Sequence, residues 1–422
     1  MKIGVLGGGE SGVGAALLAQ AKGHIVFVSD YNKIADRYKN ELLKSNVRFE
    51  ESGHDFEILE TLDLIVKSPG IPNTASVIQH LRSKNVRIVG EIEFGFLQCS
   101  GKIIAITGTN GKTTTTNLTY EMMKYQFDKV GKGGNVGHSF CRLVLDEDIE
   151  WFVLEVSSFQ LDDIQSFRPD IACILNVTPD HLDRYEGSLD LYRKSKASIV
   201  KNQTSNDVIF INDDTSIKNS IQSAKSKLVI LDESKRLNSI TNPYLRGTHN
   251  AMNASFAIEM SKRAGVSEEN IAKALESFVN DDHRLQPVAR INEVLYVNDS
   301  KATNVDATYF ALTAFDKDIV WIVGGKDKGN DYSSIAEEVM KRVKAIVMLG
   351  EDNGPLYEYF KDKRKVIIDT SKMKDAVMEA SEIAKSGDVV LLSPACASFD
   401  LFENYKDRGD QFVKEVWKLL KK

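Results

Sequence analysis

Ile104-Ala105-Ile106-Thr107-Gly108-Thr109-Asn110-Gly111-Lys112-Thr113-Thr114 decides how this chain folds. An apolar run ends in two glycines, an asparagine, a lysine and a threonine pair, and Asn117-Leu118-Thr119-Tyr120-Glu121-Met122-Met123 continues at helical spacing. A strand, a tight loop and a helix N-terminus in that order wrap a nucleotide phosphate. Glycines let backbone N–H groups turn inward, and the helix end favours negative charge. Lys112 can reach terminal phosphates and the Thr113 hydroxyl can ligate Mg²⁺. Only Thr109 and Asn110 separate Gly108 from Gly111, where the usual phosphate loop carries four residues before its Gly-Lys pair. Gly108, Asn110, Gly111, Lys112, Thr113 and Thr114 are the candidate ATP-binding residues. The competing account is a glycine-rich turn with a surface lysine, which the strand and helix context disfavours.

Outward from this loop the chain alternates strand and helix. The first segment opens with Ile3-Gly4-Val5-Leu6, the loop Gly7-Gly8-Gly9-Glu10-Ser11-Gly12 and an alanine- and leucine-rich helix through Ala21. Ile25–Val28 leads to Asp30, and Leu62–Val66 leads to Ser68-Pro69-Gly70-Ile71-Pro72. The second segment adds Trp151–Glu155 and Ile171–Asn176, and the third adds strands at 318–323, 345–349 and 388–392. Such alternation predicts α/β architecture with largely parallel sheets. A length of 422 residues calls for two or three domains. The boundaries fall at 1–91, 92–283 and 284–422.

With 42% hydrophobic and 27% charged residues the composition is that of a globular protein. A net charge of −6 argues against general affinity for nucleic acid or anionic membranes. The N-terminal strand lacks a secretory apolar region, and no apolar run is long enough to span a bilayer. Cys99, Cys141, Cys173 and Cys396 are scattered, which fits a reducing cytoplasm better than zinc or a disulfide framework.

Several clusters compete with bland alternatives. Gly7-x-Gly9-x-x-Gly12 followed by Asp30 has the form of the dinucleotide fingerprint. A glycine loop before a helix holds any diphosphate, so the motif reports a pyrophosphate rather than a nicotinamide. Glu155, at a strand end before Ser157 and Ser158, can hold Mg²⁺ against phosphates, although the serines would equally cap a helix. Asn176-Val177-Thr178-Pro179-Asp180-His181 offers a histidine among acids at a strand end. Tyr192-Arg193-Lys194-Ser195-Lys196 reads as a basic helix face, and composition alone gives no reason to single out Lys196. Asn298–Asn304 and Ser393–Asp400 are dense in small polar residues after apolar runs.

Together these motifs resemble the Mur ligases, ATP-dependent amide-forming enzymes of peptidoglycan precursor synthesis, from about residue 3 to residue 415. The shortened phosphate loop is a feature of that family. The resemblance implies a Rossmann-like N-terminal domain, a central P-loop ATPase-like domain and a Rossmann-like C-terminal domain. Ser68-Pro69-Gly70-Ile71, Leu154–Leu161, Asn298–Asn304 and Ser393–Ser398 point to the branch that adds D-glutamate to UDP-N-acetylmuramoyl-L-alanine. It implies that Gly9, Ser11, Asp30, Ser68 and Gly70 surround the uridine diphosphate, with Asn135 and Gly137 near the sugar-peptide. Lys112, Thr113 and Glu155 would hold ATP phosphates and a first Mg²⁺. His181 and a carbamylated Lys196 would hold a second. Asn250 and Asn253 would face adenine, and Arg284, Asp299 and Lys301 would contact ATP. Thr303, Lys328, Ser398, Phe399 and Tyr405 would surround D-glutamate. The implied protein is a cytoplasmic monomer without nucleic-acid or membrane partners. Two departures stand out: Asp30-Tyr31-Asn32-Lys33 lacks the arginine typical after this acid, and Tyr405 replaces a phenylalanine. An NAD-dependent dehydrogenase would leave Lys112 unexplained. An idle nucleotide-binding regulator would leave Lys112, Glu155, His181 and Lys196 without a purpose.

Overall fold

The apolar run that opens the chain forms β1 (Lys2–Leu6), followed by β2 (Ile25–Asp30), β3 (Arg48–Glu51), β4 (Leu64–Lys67) and β5 (Ile88–Gly90). These strands make an all-parallel sheet in the order β3-β2-β1-β4-β5. The computed structural model describes residues 1–232, 241–327, 329–363 and 366–420. In this sheet the order reverses between β1 and β4. Loops leaving the carboxyl ends of two such strands part to opposite faces, and the crevice between them is where open α/β sheets take ligands. Here those loops are Gly7–Gly9 and Ser68–Ile71.

The second sheet contains β6 (Lys102–Thr107), β7 (Val130–Gly134), β8 (Trp151–Glu155), β9 (Ile171–Ile174), β10 (Val208–Asn212) and β11 (Lys227–Leu231). Its order is β11-β10-β9-β6-β8-β7, again all parallel. The strand that feeds the phosphate loop is therefore central, flanked by β8 and β9. The third sheet is built from β12 (Gln286–Ile291), β13 (Val294–Asn298), β14 (Ile319–Val323), β15 (Val343–Leu349), β16 (Ile367–Thr370) and β17 (Val389–Leu392). Its order is β12-β13-β17-β14-β15-β16, parallel except for the antiparallel pair β12–β13. The three sheets match the three expected domain types.

The chain divides into two compact units, Met1–Arg236 with Ser255–Ala274, and Leu237–Ala254 with Leu275–Lys422. The first two sheets share one buried apolar cluster running from Val5 and Val28 through Phe140 and Phe152 to Ile211. Arg142 reinforces that joint, donating to Glu10 (2.8 Å) and Glu41 (2.8 Å). In the second unit the period-two alternation of strands sorts side chains to two faces. Ile319, Trp321 and Val323 pack on one side of the third sheet, and Val320 and Ile322 on the other. Both faces are thus apolar, as a parallel sheet covered by helices requires.

Glycine at position 12 is compulsory. A Cβ there would lie 1.7 Å from the Gly7 carbonyl oxygen, because the helix Glu10–Ala21 starts directly against the loop. We expect Gly12→Ala to destabilise the first unit by about 1–3 kcal/mol, the range for forced overpacking. Urea denaturation of the purified variant against wild type measures it.

Candidate active site

The loop after β6 is pinned by an asparagine from the neighbouring strand end. Asn176 Oδ1 accepts the backbone N–H groups of Thr109 (3.1 Å) and Asn110 (2.8 Å), and its Nδ2 donates to the Asn110 carbonyl (3.0 Å). Thr109 Oγ1 donates to the Thr178 carbonyl and accepts the Thr178 N–H, both at 3.1 Å. Gly111, at φ 84°, adopts the left-handed turn that starts the helix Lys112–Lys124, and no side chain caps that end. The amino end of a helix favours negative charge. Lys112 folds back over the loop, its Nζ donating to the carbonyls of Gly108 (2.8 Å) and Thr109 (2.7 Å).

Glu155 ends β8 beside this helix and is buried. Its two oxygens accept from Thr113 Oγ1 (2.7 Å) and Asn135 Nδ2 (2.8 Å). Gly134, at φ 103°, makes that approach possible, since a Cβ there would sit 2.2 Å from the Glu155 carbonyl oxygen. Of the two serines after Glu155, Ser157 caps, forming a capping box with Gln160, while Ser158 is the first residue of the short helix Ser158–Leu161. A buried carboxylate bonded to neutral donors, with a hydroxyl beside it, offers hard oxygens to a divalent cation. Among the described residues no group of three or more His, Cys, Asp or Glu is placed to hold a metal. An ion here would therefore complete its shell with oxygens of a ligand or water.

Lys196, on the helix Leu189–Ala197, is 1% exposed, and its Nζ donates to the same Gly108 carbonyl at 2.8 Å. The ammonium also lies 4.5 Å from the Tyr192 ring centroid. Burial first, and then the Lys112 charge, hold Lys196 well below the ordinary lysine range; Asp180, Glu155 and Asp162 oppose this. Burial thus favours its uncharged form. His181 is placed differently. It has φ 52°, its ring is exposed, and it stands 3.9 Å from Asp180 and edge-on to Phe159. No hydrogen bond joins it to Glu155 or Lys196 among the described residues. Gly137, at φ 83°, is exposed in the loop after Asn135.

In the first sheet Gly9 is the N-cap position of its helix, without a side-chain cap, and Ser11 lies in the first turn. Ser68 Oγ is buried without a hydrogen-bond partner among the described residues and points at Gly7, where a Cβ would come within 2.7 Å of it. This orphaned hydroxyl at the β1/β4 crevice fits a polar ligand. Gly70 leaves open space around itself. Asp30 is partly committed to the backbone, accepting Gly8 N (2.6 Å) and Asn32 N (2.8 Å). Tyr31 beside it is 72% exposed, with its ring 6.1 Å from His54.

The second unit gathers the remaining candidates at the carboxyl ends of β13 and β17 and on the helix Thr248–Ala264. Asn250 and Asn253 are buried there and linked, Asn253 Nδ2 donating to Asn250 Oδ1 at 3.2 Å. Burial drives the adjacent His249 down to about 3, so its ring is a neutral surface packed on Phe310. Asp299 accepts Leu285 N (3.0 Å) and Ser393 Oγ (3.1 Å). Burial pushes its carboxyl up to about 7, against the nearby Arg284 charge. Lys301 Nζ lies 3.8 Å from the centroid of the Tyr405 ring, so the tyrosine that departs from the family pattern serves as a cation–π partner. Ser398 is buried, while Thr303 and Phe399 are exposed. Lys328 lies outside the described residues. Arg408 had no signal in the sequence. It is buried and donates to Ser300 Oγ and to the carbonyls of Ser300, Gly324 and Cys396, tying three strand ends together.

Residues 2–77 match the MurD N-terminal domain, residues 106–242 the Mur ligase middle domain, and residues 283–396 the Mur ligase glutamate ligase domain. The UDP-N-acetylmuramoylalanine--D-glutamate ligase of Christiangramia forsetii is 43% identical over 439 residues, covering 98% of this chain and 99% of that one. The chain belongs to the Mur ligase family. The ligase of the same description from Porphyromonas gingivalis is 44% identical over 98% of both chains. Among solved structures, the UDP-N-acetylmuramate-alanine ligase of Thermotoga maritima superposes with a TM-score of 0.61 at 18% identity, over 99% of both chains. The MurF ligase of Thermotoga maritima in complex with ADP gives 0.62 at 17%, over 93% of this chain and 95% of that one. These structures share the fold.

A lysine depressed by burial weakens the folded state at every pH below its ordinary value, and the penalty lifts across the window in which the unfolded chain still holds its proton and the folded chain does not. That window runs from the lowered value up to the ordinary 10.5, and stability rises with pH across it. We expect Lys196→Met, in carbon-dioxide-free buffer without ligands, to be more stable than wild type at pH 7. The advantage should shrink as pH approaches 10. Paired urea titrations at several pH values measure it.

Proposed function

We propose that this chain is an ATP-dependent ligase that joins D-glutamate to UDP-N-acetylmuramoyl-L-alanine in peptidoglycan precursor synthesis. The observation that carries this reading is the convergence of Lys112, Thr113, Glu155 and a buried Lys196 on one phosphate loop, in a chain with full-length relatives of that description. No helix of the described residues is long and apolar enough to cross a membrane. The domain limits 1–91, 92–283 and 284–422, a monomeric state and a cytoplasmic location belong to the same proposal.

The substrate carboxylate attacks the γ-phosphorus of ATP, releasing ADP and forming an acyl phosphate. The amine of D-glutamate then adds to the acyl carbon, and phosphate leaves as the amide forms. Every reactant is anionic, so the protein's task is to gather negative charge and align it. The first-turn N–H groups of Lys112–Lys124 and the Lys112 ammonium bind phosphate oxygens. Lys112 need only swing from the Gly108 and Thr109 carbonyls to reach them. Thr113 and Glu155 would hold one divalent cation, and His181 with a carbamylated Lys196 would hold a second, the ions supplying charge neutralisation when bound. Carbamylation needs an uncharged amine: the Nζ lone pair attacks the carbon of CO₂, one C=O pair moves to oxygen, and a proton leaves to solvent. Burial, which depresses Lys196, favours that form. Gly9, Ser11, Asp30, Ser68 and Gly70 are assigned to the uridine diphosphate, and Asn135 and Gly137 to the sugar-peptide. Asn250, Asn253, Arg284, Asp299 and Lys301 are assigned to ATP. Thr303, Lys328, Ser398, Phe399 and Tyr405 are assigned to D-glutamate.

The test is ADP release with UDP-N-acetylmuramoyl-L-alanine and a panel of amino acids. Turnover with D-glutamate and little with D-alanine is expected, because donors built for a second carboxylate stay unpaired without it. Comparable turnover with D-alanine, or preference for L-lysine, would overturn the assignment. Lys112→Ala should abolish ligation while the sugar nucleotide still binds by calorimetry. Lys196→Ala should be nearly inactive and partly rescued by formate or acetate; full activity without added acid would remove the carbamate from the mechanism.

A further inference from the structure

Lys67 is the last residue of β4 and directly precedes the Ser68–Ile71 loop. Its side chain is only 3% exposed, and a buried ammonium must find partners. It has two. Nζ donates to the Ile71 carbonyl at 2.9 Å, closing the loop on itself, and lies 2.7 Å from Asp163 Oδ2, itself 9% exposed. Asp163 belongs to the second sheet's domain, just beyond the helix Ser158–Leu161. Asn73, at the far end of the loop, reaches the other oxygen of the same carboxylate at 3.4 Å.

From Asp163 the contacts run towards Lys196. The neighbouring Asp162 accepts the Tyr185 hydroxyl at 2.9 Å, and Tyr185 meets Ser195 Oγ at 3.2 Å. Ser195 Oγ donates to the Ser158 carbonyl at 2.9 Å, and the next residue on the helix is Lys196. A second tie leaves the same loop: Arg184 Nη2 donates to the Gly70 carbonyl at 3.3 Å. The Arg184 guanidinium lies 4.7 Å from the Phe159 ring centroid, and Phe159 meets His181 edge-on. Both routes from the loop therefore end in the 181–196 segment. A buried ion pair contributes little net stability against an apolar pair of similar volume, but it demands one geometry.

We propose that Lys67 and Asp163 are a positioning pair that couples occupancy of the Ser68–Ile71 loop to the alignment of Lys196 with the phosphate loop. The inference rests on the ligase reading above and adds a thermodynamic link between its two nucleotide sites. The sugar nucleotide, by fixing the loop, sets the segment that carries His181 and Lys196, and bound ATP tightens the loop in return, since such coupling is reciprocal.

The experiment is calorimetric titration of the full-length protein with UDP-N-acetylmuramoyl-L-alanine, with and without a non-hydrolysable ATP analogue and Mg²⁺. Wild type should bind the sugar nucleotide about tenfold more tightly when the analogue is present, within the usual range of coupling. The double variant Lys67→Met/Asp163→Leu leaves no lone buried charge. It should bind each ligand alone within about threefold of wild type but with a coupling ratio near one. Lys67→Arg, which keeps the ion pair, should restore the ratio in part. A double variant that keeps the wild-type ratio, whether or not it loses affinity or melts earlier, overturns the inference and leaves the pair structural. If the double variant does not fold, the ratio in Asp163→Asn decides in the same way. Wild type that binds both ligands without coupling overturns the inference alone, whereas failure to bind either one overturns the ligase reading.

Discussion

The central part of the molecule is organised round one buried carboxylate. Glu155 has no room for solvent, and its oxygens are taken by a threonine hydroxyl and an asparagine amide, so its negative charge is only partly answered. That charge fixes Thr113 at the head of its helix, draws the loop after β7 inward and opposes the depression of Lys196. Lys112 and Lys196 both donate to the Gly108 carbonyl. In the ligase proposed above, the Glu155 carboxylate would meet a divalent ion and the Lys112 ammonium would meet phosphate oxygens. Preorganised dipoles and charges of this kind cost no rearrangement at the moment of reaction.

What was legible in the sequence was local. The phosphate loop, the glycine loop after β1 and the long apolar strands announce themselves through residue type and spacing within about fifteen positions. The strands β14, β15 and β17 are apolar throughout because both faces are covered. Strands β3, β12 and β16 carry a weaker signal: they lie at sheet edges, are only half-buried, and carry polar or charged residues such as Arg48, Glu50 and Asp369. Strands β7, β10 and β11 are also absent from the sequence reading, β10 although it is buried and paired on both sides. The antiparallel pairing of β12 with β13 had no local cue beyond Asn292-Glu293, both at positive φ.

The site divides along the same line. Lys112, Thr113 and Glu155 stand in recognisable motifs. Asn176, Tyr192, Asp163 and Arg408 act through contacts between residues far apart in the chain, for which a single sequence carries no period or spacing. Lys196 is the instructive case. As text it is one cation among Arg193, Lys194 and Lys196, and only the helix's packing reveals that it faces inward while Lys194 faces out. Chemistry that depends on desolvation is invisible until the fold supplies the low dielectric.

Strand β12 has a consequence of another kind. It is an outer strand of its sheet, and outer strands expose a row of unpaired backbone groups that can recruit a second chain. Here the strand begins Gln286-Pro287, and its register slips between Pro287 and Ala289. Proline offers no N–H, and the slip breaks the even spacing that a partner strand would need. A lone apolar sheet edge at the high protein concentration of a growing cell would invite fibril-like stacking. The kinked, proline-bearing border makes this side of the sheet a poor template for it.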